Sequence, residues 1–147
     1  MDRLNESGPA SAEADRVEPP DVSAPADAVS LQLPAQSRFI RIARLAGAGL
    51  ANELGFGVDR LDDVRLAIGE ACGLAVHSGA ASLVVRYELA ATSIAVAVEA
   101  PIGGDGDRLD PDYLGLVEQV LSVACSSHSI ETTERQMTIR LTFNDGS

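Results

Sequence analysis

The side chains best placed for chemistry lie in LDDVRLAIGEACGLAVHSG, the stretch from Leu61 to Gly79. Glu70 is a carboxylate set beside a leucine on this helix, a placement from which a functional role can be read. Leu66, Glu70, Leu74 and His77 recur about a turn apart, so they share one flank of a helix where it meets something other than plain core. A structural carboxylate paired with Arg65 is the plainer reading of Glu70, and the spacing leaves both open. Arg38, Arg41 and Arg44 recur every three residues and make a basic strip on another helix. That strip is either a solvated face or a docking surface for an acidic partner. Cys72 and Cys125 lack the clustered spacing of a metal site or disulfide framework and read as buried free thiols. His77 and His128 are too isolated for a metal pair or a phosphorelay histidine and read as surface or pocket-edge residues.

The elements that carry these groups follow from periodicity. Leu61, Val64, Ile68, Ala71, Cys72 and Ala75 form the core stripe of the Glu70 helix, with a cap expected near Asp59 and Asp62 and Asp63 in its first turn. The arginine strip belongs to Ser37–Leu54, where Ile40, Ala43, Leu50 and Leu54 mark the apolar side and Gly55 and Gly57 close the helix. Before it, Val29–Leu33 alternates as a short strand ending at Pro34. After the Glu70 helix, Ala81–Leu89 and Thr92–Ala100 read as a β-hairpin burying Val85, Tyr87, Ile94, Val96 and Val98. PIGGDGDRLDP is a loop, carrying Asp105, Asp107 and Asp110. Asp112–Ser126 then returns to helical spacing, and Ser129–Thr133 and Gln136–Phe143 finish the chain as strands. This order predicts an α/β (α+β) two-layer sandwich, a mixed, mostly antiparallel sheet covered on one face by helices.

Composition narrows the function. The chain has 147 residues, 46% of them hydrophobic, enough for one compact domain. Residues 1–28, rich in Ala, Pro, Ser, Asp and Glu, read as a disordered acidic tail, and 29–147 as the folded domain. A net charge of −11 argues against sequence-independent nucleic-acid binding and against an anionic membrane surface. All 11 cationic side chains are arginine, so a P-loop, which needs lysine, is excluded. No run approaches a membrane span, and the N-terminus lacks a basic-then-apolar signal, which predicts a cytoplasmic protein.

VRLAIGEACGLAVHSG resembles the VxLAVSEAxxNAxxH helix of the anti-sigma-factor serine kinases of the RsbW and SpoIIAB type, a branch of the GHKL superfamily. MTIRL resembles that family's closing strand, and the element order matches from about Val29 to Phe143. The resemblance implies a histidine-kinase-like ATPase (Bergerat) fold. It makes Glu70 the candidate general base beside a nucleotide. Where the family has an asparagine holding magnesium, this chain has Leu74, which offers no lone pair. The family's Asp-x-Gly-x-Gly adenine box falls on Glu99-Ala100-Pro101-Ile102-Gly103-Gly104. Its aspartate position lands on Ala100, and Glu99 supplies a carboxylate only after a one-residue slip. The later Gly-x-Gly box falls near Tyr113-Leu114-Gly115 and keeps Gly115. Glu99, Gly103, Gly104 and Gly115 are thus the residues of a degenerate nucleotide site. The family's partner-binding arginine falls on Arg44, with Arg41 one turn earlier as the second choice.

The resemblance therefore implies an anti-sigma-factor-like regulator that sequesters a sigma factor and is controlled by an anti-anti-sigma (STAS-type) partner, with ATP binding and kinase activity lost or weakened. The alternative it implies is an active ATP-dependent serine kinase acting on that anti-anti-sigma factor, with magnesium held by the loop aspartates. A third class is an interaction domain for another signalling protein. No metal site and no certain cofactor are expected, ATP with magnesium staying open, and a homodimer formed through the sheets is expected by resemblance.

Overall fold

The computed structural model describes residues 27–103 and 109–145 of the chain. Its elements are β1 (Asp27–Pro34), α1 (Ser37–Glu53), α2 (Val58–His77), β2 (Ser82–Leu89), β3 (Ser93–Pro101), α3 (Pro111–Ala124), β4 (Ser127–Thr132) and β5 (Gln136–Asn144). β1 starts two residues inside the stretch expected to be tail, since Asp27 and Ala28 pair with Leu89 and Glu88. The rest of that tail lies outside the described residues.

The five strands form one sheet in the order β1-β2-β3-β5-β4, and every neighbouring pair is antiparallel. The expected mixed, mostly antiparallel sheet is thus antiparallel throughout. Alternation sets its two faces. Leu83, Val85, Tyr87, Ile94, Val96, Val98, Met137, Ile139, Leu141 and Phe143 point inward and are buried beneath the helices. Arg86, Ala97 and Arg140 share one register row on the opposite, open face, with Arg86 paired to Glu99 and Arg140 to Glu131.

The helices lie on the inward face because each has one apolar side. α1 buries Ile40, Ala43, Gly47, Ala48 and Ala51. The expected Leu50 and Leu54 are only half-buried, because small residues let α1 approach α2 and the sheet closely. Gly55, at φ +87°, ends α1 in a left-handed turn, and the Phe56 N–H donates to the Ala51 carbonyl at 3.1 Å. That pattern turns the buried Phe56 ring back onto the core. α2 starts one turn earlier than its periodicity indicates. Gly57, not Asp59, is its cap, and Asp62 and Asp63 are spent on ion pairs with Arg65 and Arg60. Both thiols are free and buried.

Candidate functional site

Because α2 lies between α1 and α3, its outward side is a floor with a wall on either hand. Gly69 and Gly73, one turn apart, make that floor low. From one wall Arg44 of α1 lies over Gly69, its Cδ and Nη1 each 3.1 Å from where a Cβ would stand. From the other, Tyr113 of α3 brings its hydroxyl to 3.4 Å from the equivalent point on Gly73. The Tyr113 ring stacks on His77 with centroids 4.4 Å apart and planes tilted by 41°. Burial, with the Glu70 charge second, pushes the Tyr113 phenol above its ordinary range.

Glu70 is half-buried beside this ring. The suggested Arg65 partner is taken by Asp62, at 2.7 Å, and among the described residues no ion pair involves Glu70. The flank that was expected to hold Leu66, Glu70, Leu74 and His77 together is split by the fold. Leu66 is 49% exposed, whereas Leu74 is fully buried in the hydrophobic core. The turn from Glu70 to Leu74 therefore carries one side chain out of the core and one into it.

The described residues of the degenerate nucleotide site lie on different elements, Glu99 on β3, Gly103 just after it and Gly115 in α3. Glu99 lies on the open face of the sheet, bonded to Arg86 at 3.2 Å, with the full thickness of the sheet between it and α2. The residue facing the helices is Ala100, fully buried, so the slip that enlists Glu99 points it the wrong way. Gly103 is exposed, and Gly104 lies outside the described residues. Gly115 sits in the second turn of α3 rather than at its start. At the start itself Pro111 has no N–H, and the Asp112 N–H donates to Asp110 Oδ1 at 3.0 Å. A helix N-terminus attracts phosphate through free N–H groups and its positive dipole end. Here a carboxylate already occupies it. Among the described residues no group of three or more His, Cys, Asp or Glu side chains could hold a metal ion. The suggested ligands Asp105 and Asp107 lie outside them.

The arginines separate as well. Arg38 and Arg41 are exposed on α1, and Arg44 is half-buried against α2. The charge of Arg44 reaches the buried Cys72 thiol and opposes the upward push of burial there. Ile42 and Leu45, 44% and 60% exposed, interleave with Arg38 and Arg41. Sequence reasoning passed over this apolar component and Tyr113. The signals were present, as an i,i+3 pair of large apolar residues between arginines and as a tyrosine in a helix's first turn.

No protein-family model matches the chain. Over 44 residues, 30% of this chain, it is 41% identical to the serine-protein kinases RsbW of Bacillus thuringiensis (strain Al Hakam) and Bacillus mycoides (strain KBAB4). The matched stretch spans 28% of the length of each of those relatives. In the crystal structure of the SiaB-SiaC complex from Pseudomonas aeruginosa, a chain superposes with a TM-score of 0.59 at 12% identity, over 78% of this chain and 88% of that one. At that identity the likeness is one of fold. The described residues form an α+β module of five antiparallel strands and three helices. Its likeness to the RsbW type is carried by the matched segment of sequence.

Proposed function

We propose that the chain is a regulatory binding module of the anti-sigma type. It holds a sigma factor through the α1 strip, is released by an anti-anti-sigma partner of the STAS type, and needs no ATP turnover. The burial of Leu74 carries this reading: the position where RsbW-type proteins are expected to hold magnesium is core. Ala100 and the occupied start of α3 agree with it, since neither offers what adenine or phosphate needs. The described residues therefore do not fit magnesium-ATP. The docking strip combines guanidinium forks with the exposed Ile42 and Leu45, a surface suited to an acidic amphipathic partner. Arg41, exposed, is its centre, and Arg44 supports it from the α2 side. That the structurally similar chain was captured in a protein complex supports a partner-binding role. A homodimer formed through the open sheet face is part of this reading, and sedimentation of the purified protein tests it.

The second reading is an active serine kinase, favoured by Glu70 having no ion-pair partner among the described residues. Incubating the protein with magnesium-ATP and an anti-anti-sigma protein of the same cell separates the two. Phosphoserine that disappears in Glu70→Gln establishes the kinase. Its absence, with sigma-factor capture that falls at least tenfold in Arg41→Glu, establishes the binding module. Capture that is indifferent to Arg41 and Arg44 removes the proposed strip.

A further inference from the structure

We infer that β1 is a pairing edge: two copies of the chain join β1 to β1, antiparallel about a two-fold axis at Ser30, into one continuous sheet. Among the described residues β1 pairs only with β2, so its other side is a free strand edge. The Ala35 N–H donates to the Ala81 carbonyl at 3.1 Å and continues the β1–β2 register. Every second residue of an antiparallel ladder bonds the same neighbour. Val29, Leu31 and Leu33 therefore bond β2, and the N–H and C=O groups of Ala28, Ser30 and Gln32 point the other way. With Ser30 on the axis, Ala28 meets Gln32 of the copy, and each free N–H meets a free C=O. This complementarity of partial charges comes with an absence of full ones. No ionisable side chain lies between Ala28 and Ser37, in a chain whose net charge of −11 drives copies apart elsewhere. Charged side chains are a common guard against edge pairing, and β1 has none along this run. The other edge strand, β4, carries Glu131 and turns the polar His128 and Thr132 to the helix side.

The helix layer agrees. α1 packs over β1 and β2, and α2 over β3 and β5. Gly47 meets Ile68 and Val64, and Arg44 lies over Gly69, so that side of α1 faces α2. The helical repeat puts Phe39, Ala46 and Leu50 on the other flank, toward the free edge, where they are only half-buried. On the same side of the sheet Val29 is 37% exposed, and pairing sets it against Leu31 of the copy. Eight residues at about 3.4 Å each, two layers about 20 Å deep, give roughly 500 Å² per copy and about 1,000 Å² in all. That is the lower limit of a specific interface, so the dimer is concentration-dependent. It goes beyond the proposed function, because it uses the edge of the sheet and leaves the open face free.

The test is oxidative crosslinking and sedimentation of the full chain. Ser30→Cys, whose Cα atoms would stand about 5.5 Å apart across the axis, should give a covalent dimer. The wild type, with Cys72 and Cys125 buried, and Ala97→Cys, on the open face, should not. Ser30→Pro deletes an edge N–H without touching the ladder to β2, and should weaken association at least tenfold with an unchanged circular dichroism spectrum. If that variant does not fold, Val29→Glu sets like charges beside the axis and should weaken association by as much. A wild type that stays monomeric at every concentration overturns the pairing. So does a folded Ser30→Pro or Val29→Glu variant that associates as tightly as the parent. A covalent dimer of Ala97→Cys without one of Ser30→Cys also overturns it and puts the contact on the open face.

Discussion

The Tyr87 hydroxyl donates to the Ala43 carbonyl oxygen at 2.7 Å, tying the middle of the sheet to the middle of α1 inside the core. A polar group at full burial is tolerable only with such a partner. The same burial pushes the phenol far above its ordinary range, with the neighbouring Cys72 second. Removing the hydroxyl in Tyr87→Phe leaves the carbonyl its place in the α1 ladder, so the loss is that of one hydrogen bond. A destabilisation of about 1 kcal/mol is expected in urea unfolding.

Two glycines in α1 should respond in opposite directions. A methyl group on Gly47 runs into Ile68 Cδ1 and stands 3.4 Å from Tyr87 Cε2 and Val64 Cγ1. Ile68 and Val64 are fully buried and have nowhere to go, so overpacking at about 1–3 kcal/mol outweighs the helix-propensity gain of about 1 kcal/mol. Gly49 has nothing within 4 Å of the added atom. Gly49→Ala should stabilise by roughly 0.5–1 kcal/mol while Gly47→Ala destabilises, read as midpoints of thermal unfolding.

Leu74→Asn addresses the position that the family resemblance assigns to magnesium. In a pocket, the amide would gain the cation. Here the position is fully buried in the same core cluster as Leu121 and Ala71, and the change should cost about 2–4 kcal/mol from lost packing and an unsatisfied polar group. Unfolding curves with and without magnesium-ATP decide it. A variant as stable as the parent, further stabilised by the nucleotide, contradicts the burial argument.

Alkaline stability follows from the thiols. Burial pushes Cys72 up to about 12, with Arg44 pulling the other way. Cys125 is likewise pushed up to about 12 by burial, Arg60 lowering it and Asp63 raising it. In the unfolded chain both release their protons near pH 9, so between pH 9 and 12 the folded state binds more protons than the unfolded state. Stability is therefore flat below pH 9 and falls above it, by up to about 1.4 kcal/mol per pH unit per thiol. Denaturation at pH 8 and pH 10.5 should show a shallower decline in Cys72→Ala than in the wild type.

The sheet was legible in the sequence because a strand's period is two, and one buried face fixes which residues point inward. Tyr87, Val96 and Ile139 are inside for that reason alone. The core stripe of α2 was legible on the same grounds at a period of 3.6. Other outcomes depended on what packs alongside. Leu74 and Leu66 look alike in the sequence, but one side of α2 meets the core near α3 and the other meets water. Glu99 and Ala100 are one residue apart and lie on opposite faces, so register decided which could address α2. The start of α3 was set by Asp110 reaching its own helix, a contact that no spacing rule reports. The sequence by itself determined the elements and their inward faces, since these depend on neighbours along the chain. Only the tertiary structure decided that Tyr113 stacks on His77 over Gly73 and that Leu74 is core, because both depend on which helix lies against which, and that is a contact between residues about 40 positions apart.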